Sequence, residues 1–556
     1  MNLFIGIKAV GLPLVITMRN EVMCNIQGLT VSDKNILYKK LSAFIPQARY
    51  MPKYKLGLWD GYIHYFDANC NVPIGLLQEG FGLIDVRKYD VSVVPYKDCK
   101  PRPKFEPIDE MVFSDFTWEE GHRLAGEPVM LEEHQVYGVN SLLAVGKGII
   151  EFGTGAGKTL MTAAICKRVC PFGKMLIIVP STDLVKNTTD QLVKLGFDCG
   201  AVIKDGAKTV AYSKPAVVIT WQSLLSMNRR IKGQGYWKDQ IKEAELESNK
   251  LLAKKKYEEL KAKQAQIRVM QQNLKDDQAR AREELDTLTD GVVGFLFDEV
   301  HTAKGNEIRT ILTDMFPYVQ VRYGMTGTVP REAGDRFCIL GGIGPVVAKM
   351  SAHDLQERGF LADSEIKILQ LKDNNHFADY QSEVEYLATD TTRLNYIADY
   401  LMYVVKTSGN TLVLVNRIKT GSILEQIIND KGGDAVFLSG KDSVKERDEQ
   451  YKQVNIQDDK LIIATANIAA TGINMPRLMN LVFLDAGKSF VRTIQSIGRG
   501  LRLGRDKTKV MVYDINSALK WQKAHLTQRK KYYTDAKIPA TMIKIDDWMM
   551  GDASFK

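Results

Sequence analysis

Short apolar runs alternate with helix-like stretches twice along this 556-residue chain. The first series contains GIIEF, MLIIVP, PAVVIT, GFLFDE and VRYGMTGT, between about residues 128 and 345. The second contains IKILQL, TLVLV, AVFLSG, KLIIATA, LVFLD and VMVYD, from about residue 365 onward. Strands that are apolar on both faces are typical of a parallel sheet covered by helices. The pattern therefore predicts an α/β protein with two tandem doubly wound parallel-sheet domains.

The segments outside these two series differ from them in composition. Before about residue 105, short β-like runs alternate with turn residues, which predicts a small α+β domain. The stretch KDCKPRPKFEPIDE carries three prolines and mixed charge, as linkers do. We predict an N-terminal domain at residues 1–105, a linker at 106–127, a first sheet domain at 128–345, a second sheet domain at 346–515 and a helical extension at 516–556.

A charged, glycine-free stretch interrupts the first series between about Trp237 and Asp290. Its pattern predicts a long helix or a helical hairpin at about residues 235–290, with a weak coiled-coil seam. The alternate seam positions are mostly polar, so we expect the insertion to pack outside the sheet domain and its removal to expose little apolar surface. Apolar residues recur at every seventh position, namely Leu260, Ile267, Leu274, Ala281 and Leu288.

Composition narrows the functional classes only a little. The net charge of +9 and the pI of about 8.9 are compatible with a nucleic-acid partner without requiring one. No two of the seven cysteines have C-x-x-C spacing, which predicts reduced thiols in a cytoplasmic protein. The chain lacks the charged start of a signal peptide and has no uncharged apolar run of about 20 residues, so we expect no membrane association.

The stretch EFGTGAGKTL has the composition of a phosphate-binding loop. A predicted strand, residues 148–152, runs into a glycine-rich turn, and a predicted helix follows from Leu160. Backbone N–H groups of such a turn bind phosphates, and glycines let the backbone approach them closely. We expect Lys158 to reach the β- and γ-phosphates of ATP and Thr159 to ligate Mg²⁺. The other predicted nucleotide-binding residues of the loop are Gly153, Thr154, Gly155, Ala156 and Gly157.

The stretch FLFDEVHTAKG supplies carboxylates that suit the same reaction. Its apolar strand ends in Asp298 and Glu299. A carboxylate at the end of a neighbouring strand holds Mg²⁺ through water, and an adjacent one orients and deprotonates the attacking water. We assign Asp298 to the metal ion and Glu299 to the water, and expect His301 to relay between the nucleotide-bound and nucleic-acid-bound states.

These two motifs resemble those of superfamily 2 helicases of the DExH type, over about residues 128–515. The resemblance implies two RecA-like motor domains that hydrolyse ATP. In LEEHQ, Gln135 stands where the family reads adenine. IIVPSTDLV and VVITWQSL resemble motifs that grip the nucleic-acid backbone. GMTGT resembles the motif that couples hydrolysis to strand movement, through Thr326 and Thr328.

The second series carries the later motifs of the same family. IIATANIAATGINMP implies Thr465 as a coupling residue and Gly472 as a nucleotide-binding residue, with Asn474 where many members have Asp. In QSIGRGLRLG the resemblance implies catalytic roles for Gln495, Arg499 and Arg502. The Q-x-x-G-R-x-x-R spacing presents two guanidinium groups, one of which can stabilise charge on the γ-phosphate.

The N-terminal stretch PKYKLGLWDGYIHYFDANCNVPIGLL is similar to the segment that precedes the motor in the phage UvsW helicase family. This resemblance implies a recombination and fork-remodelling enzyme that acts on branched DNA, Holliday junctions and R-loops, with RNA as a partner in R-loops. It also implies the host cytoplasm as the location of a phage-encoded protein. The helical insertion is not part of the resemblance, and we consider it a surface for recombination proteins or a solvated element.

Two basic segments allow two interpretations each. In KYKLGLWDGYIHYF, Trp59 and the tyrosines either stack on bases, with lysines on the phosphates, or form the core of a small β-rich domain. LKWQKAHLTQRKKYYTDAK is either a phosphate-contacting helix or a solvated one. An RNA helicase, the motor subunit of a restriction-type nuclease complex and an ATP-gated clamp remain alternatives for the whole chain.

Overall fold

The chain divides into two compact units. The first comprises Met1–Val112, Glu132–Glu151 and Thr159–Lys349, and the second comprises Phe113–Leu131, Phe152–Lys158 and Met350–Lys556. The structure, a computed structural model, describes residues 11–119, 124–153, 155–202, 211–303, 305–330, 332–358, 363–440, 442, 444–454, 457–466, 475, 477–487, 509–535, 538–546 and 548.

The N-terminal part of the first unit is a small α+β arrangement, as predicted. Strands β1, β2, β5 and β6 form a sheet in the order β5-β2-β1-β6, and β3 pairs with β4. Helix α1 begins after Thr30, whose hydroxyl accepts the Asp33 N–H, a standard helix cap. The elements are β1 (Leu12–Met18), β2 (Met23–Gln27), α1 (Val31–Lys40), β3 (Ser42–Phe44), α2 (Pro52–Lys55), β4 (Tyr62–His64), β5 (Asn71–Pro73), α3 (Leu77–Phe81) and β6 (Tyr89–Val94).

Between this region and the first large sheet, the predicted linker contains a short hairpin. β7 (Phe113–Thr117) pairs antiparallel with β8 (Pro128–Val129). The preceding backbone is also held, because the side chain of Asn140 exchanges two hydrogen bonds of 2.8 Å with the backbone of Ile108. The linker is therefore attached to the protein along part of its length.

The first large sheet has seven strands in the order β11-β12-β10-β13-β14-β9-β15. The six strands from β11 to β9 pair in parallel, which confirms the predicted doubly wound sheet. The elements are α4 (Glu133–Val145), β9 (Lys147–Phe152), α5 (Lys158–Val169), β10 (Lys174–Val179), α6 (Thr182–Lys194), β11 (Cys199–Val202), β12 (Ala216–Thr220), α7 (Trp221–Ile231), α8 (Tyr236–Ala253), α9 (Tyr257–Thr289), β13 (Val292–Asp298), α10 (Gly305–Arg309), β14 (Val321–Thr326), α11 (Ala333–Ile343), β15 (Val346–Met350) and α12 (Ala352–Glu357).

The N-terminal region and the first sheet share one hydrophobic core. The contact is close at α11, because a Cβ added at Gly75 would lie 1.9 Å from the carbonyl oxygen of Leu340. The Tyr65 hydroxyl donates to the Gly334 carbonyl at 2.9 Å, and Lys147 forms an ion pair with Glu21. The predicted N-terminal domain is therefore packed firmly against the first sheet domain.

The insertion is a helical hairpin formed by α8 and α9, one of the two forms that the sequence allowed. The base of the hairpin is more buried than we expected. Ala281 and Leu288 are fully buried, and Leu288 belongs to the hydrophobic core of the first unit. The side chain of Arg230 in α7 forms ion pairs with Asp277 at 2.8 Å and Glu284 at 3.0 Å. The expectation that removing the whole insertion exposes little apolar surface is therefore wrong for its base.

The second large sheet has seven parallel strands in the order β18-β19-β17-β20-β21-β16-β22. It is the second doubly wound sheet that the sequence predicted. The elements are β16 (Asp363–Leu371), α13 (Tyr380–Thr389), α14 (Thr391–Ser408), β17 (Thr411–Val415), α15 (Ile418–Asp430), β18 (Ala435–Leu438), α16 (Val444–Val454), β19 (Leu461–Thr465), β20 (Asn480–Leu484), β21 (Lys509–Ser517), α17 (Lys520–Asp535) and β22 (Ala540–Ile545).

The C-terminal extension differs from the predicted helical form. After α17 the chain forms β22, which pairs in parallel with β16 and so completes the second sheet. Arg529 of α17 is buried and forms an ion pair with Asp514 at 2.9 Å, and the buried Tyr533 hydroxyl donates to the same carboxylate at 2.8 Å. One face of this basic helix is therefore core, which neither of our two interpretations anticipated.

Two further findings concern the chain as a whole. Among the described residues, no helix is both long enough and apolar enough to span a bilayer. All seven cysteines are free thiols, and burial raises the pKa of the Cys24 and Cys199 thiols to about 12. A thiol with such a high pKa is a poor nucleophile at neutral pH.

Candidate nucleotide and nucleic-acid sites

The carboxyl edge of the first sheet gathers the predicted catalytic segments. In the register of the sheet, Asp298 pairs with Met325, and Met325 pairs with Ile150. The strands β13, β14 and β9 therefore end at the same level. Ligands of open α/β sheets bind outside the carboxyl ends of the strands.

The glycine-rich loop leaves β9 at this edge. Gly155 and Gly157 have φ angles of +93° and +77°, which glycine adopts without steric cost. The Ala156 N–H donates to the Gly153 carbonyl at 3.3 Å, and α5 begins at Lys158. The described part of the loop thus has the turn-to-helix form that a phosphate cradle requires. Thr154 lies outside the described residues.

The carboxylates Asp298 and Glu299 follow β13 at a left-handed turn. Glu299 has a φ of +47°, and its N–H donates to Asp298 Oδ1 at 2.9 Å. The backbone reversal turns the Glu299 side chain into a buried position, where it is 10% exposed. A non-glycine residue in this conformation is uncommon and clusters at functional sites.

His301 connects Glu299 to the end of β14. Its Nδ1 lies 3.6 Å from Glu299 Oε2 and 2.6 Å from Thr326 Oγ1. The Thr326 hydroxyl donates its single proton to the Thr328 carbonyl at 2.9 Å. With this assignment Thr326 accepts from His301, which corresponds to the tautomer with the proton on Nδ1. The chain of contacts joins the DEVH segment to the TGT segment, which are the two segments predicted to couple hydrolysis to movement.

Gln135 occupies a fixed position at the start of α4. Its Oε1 accepts the N–H of Glu132 at 3.0 Å, as part of a reciprocal helix cap. The side chain is buried. The cap orients the amide group that we expect to read adenine.

The sequence motifs that lie in the second sheet are only partly described. Thr465 is the last residue of β19. The predicted residues Gly472, Gln495, Arg499 and Arg502 lie outside the described residues.

Glu151 is a polar residue at the site that sequence reasoning missed. It stands at the end of β9, where its Oε1 accepts the Val329 N–H at 3.2 Å and its Oε2 lies 3.1 Å from Lys349 Nζ. It thereby ties the strand that precedes the phosphate loop to the segment that follows TGT. The signal in the sequence was a single carboxylate in an otherwise apolar strand.

The predicted aromatic segment of the N-terminal region divides between core and surface. Tyr65 is buried, whereas Trp59 is half-buried and donates its indole N–H to the Tyr62 carbonyl at 2.9 Å. The core interpretation therefore holds for Tyr65, and the stacking of Trp59 on bases stays a prediction. Trp59 lies in a pocket of about 740 Å³ whose lining residues are Met51, Pro52, Lys53, Leu58 and Trp59.

The chemistry of the donor groups suits Mg²⁺ bound together with a nucleotide. Asp298 and Thr159 offer hard oxygen donors, and Mg²⁺ binds through one or two carboxylates with substrate phosphates and water. The described residues include no group of three or more His, Cys, Asp or Glu side chains arranged to hold a metal ion.

Three family models match the chain. Residues 129–331 match the res subunit of type III restriction enzymes, and residues 392–504 match the helicase conserved C-terminal domain. Residues 31–94 match the N-terminal domain of the DNA helicase UvsW. The three matches follow the chain order of N-terminal region, first sheet and second sheet.

Individual proteins give related matches. The ATP-dependent DNA helicase uvsW of Enterobacteria phage T4 is 22% identical over 498 residues, which is 87% of each chain. The putative helicase 22 of a Sulfolobus islandicus filamentous virus is 27% identical over 238 residues, 40% of this chain and 42% of its own. The DNA-bound type ISP restriction-modification enzyme LlaBIII has a TM-score of 0.50 at 13% identity, over 84% of this chain and 34% of its own, a likeness of fold alone.

Proposed function

We propose that this chain, which is a UvsW-like superfamily 2 helicase driven by ATP, remodels branched DNA such as forks, Holliday junctions and R-loops. The helicase family and the UvsW resemblance predicted from the sequence motifs are confirmed by the family models and by the T4 relative. Helicases bind nucleic acids. The choice of DNA, and of branched DNA, is the proposal.

The observation that carries the proposal is the exposed surface around Trp59, which we call the Trp59 surface. Its side chains can contact bases, and it is attached to the motor. Leu56 and Leu58 are 71% and 75% exposed beside the exposed Lys53 and Lys55. Aromatic side chains stack on unpaired bases, aliphatic side chains make apolar contacts with them, and lysines neutralise phosphates. Since the N-terminal region shares its core with the first sheet, this surface keeps a set position relative to the strand end that carries Asp298. We infer that Trp59 contacts bases that are unpaired at a branch.

The nucleotide site divides the work of hydrolysis among its residues. We infer that Gly153–Thr159 binds the phosphates of ATP, with Lys158 on the β- and γ-phosphates and Gly472 completing the cradle. Thr159 and Asp298 would hold Mg²⁺, which supplies charge neutralisation to the phosphates. Gln135 reads adenine.

Glu299 is the proposed general base. Its carboxylate accepts a proton from the attacking water. The carboxylate of Asp298 accepts a hydrogen bond from the Glu299 N–H and so fixes the turn. We further infer that Arg499 and Arg502 stabilise charge on the γ-phosphate and that Gln495 takes part in catalysis.

His301, Thr326 and Thr328 are the proposed link between the two functions. A change at the nucleotide alters the position of Glu299, and the hydrogen bond of 2.6 Å from His301 to Thr326 transmits this change to the TGT segment. Thr465 is the proposed coupling residue of the second sheet.

Stimulation of ATP hydrolysis by different nucleic acids tests the proposal. We expect forked and four-way DNA to stimulate hydrolysis more than single strands or blunt duplexes, and we expect the wild type, without partners, to unwind forks. Trp59→Ala should lower the affinity for forks by about 5- to 150-fold, since stacking contributes about 1–3 kcal/mol per base. Stimulation by RNA alone would instead favour an RNA helicase, DNA cleavage would favour a restriction motor, and hydrolysis without unwinding would favour a clamp.

A further inference from the structure

Positive charge on the insertion is concentrated at one end. We define the hairpin tip as residues 250–263, where six lysines and two glutamates lie. The preceding part of α8, residues 236–249, has two lysines and four acidic residues. Solvated helices usually intermix the two signs along their length. The hairpin instead has a basic tip on a shaft of mixed charge.

The tip has a defined backbone. The Lys255 N–H donates to the Leu252 carbonyl at 3.0 Å, and the Lys256 N–H donates to the Leu251 carbonyl at 3.1 Å. These are the two hydrogen bonds of a Schellman helix end, and Lys255 occupies its left-handed position with a φ of +56°. Glycine is favoured there, yet the chain has three consecutive lysines, Lys254–Lys256.

Five of the six lysines of the tip are exposed, whereas Lys263 is half-buried and forms an ion pair with Glu247 at 2.5 Å. Lys254, Lys255 and Lys256 are all exposed, and so is Tyr257, at 62%. Lys256 forms an exposed ion pair with Glu259 at 2.7 Å. Exposed pairs of this kind contribute little to stability, so the lysines are not required for folding of the hairpin.

The opposite end of the hairpin is anchored. Arg230 holds Asp277 and Glu284, and the Gln278 amide donates to the Ile231 carbonyl at 3.2 Å. At a rise of 1.5 Å per residue, the start of α9 at Tyr257 lies about 30 Å along the helix from Asp277. The lysines thus lie at the end of a rigid arm about 30 Å long. This length corresponds to roughly nine base pairs of DNA, at about 3.4 Å per pair.

The arm starts from a segment with a predicted role on nucleic acid. α7 begins after Thr220, within the VVITWQSL stretch that resembles a backbone-gripping motif, and α8 follows closely after α7. We propose that the hairpin tip binds the phosphate backbone of a duplex DNA arm at a distance from the strand being moved. This proposal rests on the proposed function, because it requires that the substrate is DNA with a duplex arm.

Salt dependence of duplex binding is the test. The tip variant carries Lys254→Gln, Lys255→Gln and Lys256→Gln in the full chain. The control carries Lys238→Gln, Lys242→Gln and Lys275→Gln, which removes the same charge from exposed positions on the shaft. Fluorescence anisotropy measures the binding of a fork with long duplex arms, and of single-stranded DNA, over a range of salt concentrations.

We expect the tip variant to bind the fork at least fivefold more weakly at low salt. Its slope of log K against log salt should be shallower by about 2–3, because each phosphate contact contributes about 0.9. The control, single-strand binding and single-strand-stimulated ATP hydrolysis should be unchanged. An unchanged slope in the tip variant would overturn the proposal and leave an acidic protein surface as the partner of the tip. If the wild type itself fails to bind forks, the proposed function fails instead.

Discussion

The two large sheets have the same strand order. In each sheet the fifth strand is followed by an acidic residue whose backbone has the left-handed conformation. Counted in chain order, both sheets read 3-4-2-5-6-1-7. Glu299 follows β13 and Asp485 follows β20, and both have a φ of +47°. The surroundings differ. Arg393 donates to both oxygens of Asp485 at 2.7 Å, whereas Glu299 faces His301 Nδ1 at 3.6 Å.

The comparison shows that the same backbone arrangement can place either a structural carboxylate or the proposed catalytic one. Burial raises the pKa of the Asp485 carboxyl and Arg393 opposes this shift, so the group is held in a buried ion pair. Such a carboxylate has both oxygens engaged and stabilises the second sheet. Glu299 follows a strand end and faces a histidine, which suits proton transfer. The neighbouring side chain, not the strand order, decides between stability and chemistry.

Substitution of the two carboxylates tests the comparison most strongly. Glu299→Gln should lower kcat for ATP hydrolysis by about 10²–10⁴-fold with ATP affinity retained, because a general base contributes about that factor. Asp485→Asn should change kcat by far less. Steady-state ATPase assays and nucleotide binding measure both. Near-wild-type turnover of the Glu299 variant would place the base elsewhere.

The buried ion pair gives the next largest effect. Arg393→Met leaves Asp485 buried without its cation, so unfolding of the second unit should become easier by about 3–5 kcal/mol. The corresponding substitution beside Glu299 is His301→Asn. It should lower the free energy of unfolding by less than about 1.5 kcal/mol, which is the usual contribution of one hydrogen bond. Urea denaturation followed by hydrogen–deuterium exchange assigns each loss to its unit. Equal losses of unfolding free energy in the two variants would contradict the division into a structural and a catalytic carboxylate.

Loss of the Thr326 hydroxyl should have a smaller effect. Thr326→Val removes the acceptor of His301, and a hydrogen bond contributes about 0.5–1.5 kcal/mol, or roughly 2- to 12-fold. We expect the DNA-stimulated ATPase rate to fall by this factor while the basal rate persists. Thr313→Val, which removes an exposed hydroxyl in the same unit, is the matched control. A loss of basal activity would show that the link positions Glu299 itself.

Shortening the hairpin should change hydrolysis least. The fourth and fifth strands are joined by residues 221–291 in the first sheet but by only 466–479 in the second. Glu247 and Lys263 face each other at 2.5 Å, so residues 248–262 can be replaced by a short turn without a change of register. ATPase activity stimulated by single-stranded DNA should stay within about twofold, since distant surface changes have small effects. Loss of solubility or of ATPase would show that the distal hairpin supports the motor.

The amino-acid sequence by itself determined the local features. Apolar periodicity indicated both sheets, glycine spacing indicated the phosphate loop, and the DEVH and Q-x-x-G-R-x-x-R stretches indicated a helicase. Each of these depends on residues that are close in the chain, because strand and helix periods and turn conformations are local properties. The roles of individual site residues stay predictions, including those of Arg499 and Arg502, outside the described residues.

Only the tertiary structure decided which polar and basic groups are structural. Arg393 and Asp485 are 92 positions apart and meet because of the strand order. The same holds for Arg529, which is buried against Asp514, and for β22, whose Ala540 pairs with Ile366 of β16. The hairpin base was misjudged because a polar seam predicts exposure, whereas Leu288 packs into a core supplied by other elements. Long-range pairing follows from topology and burial, which periodicity within a segment does not encode.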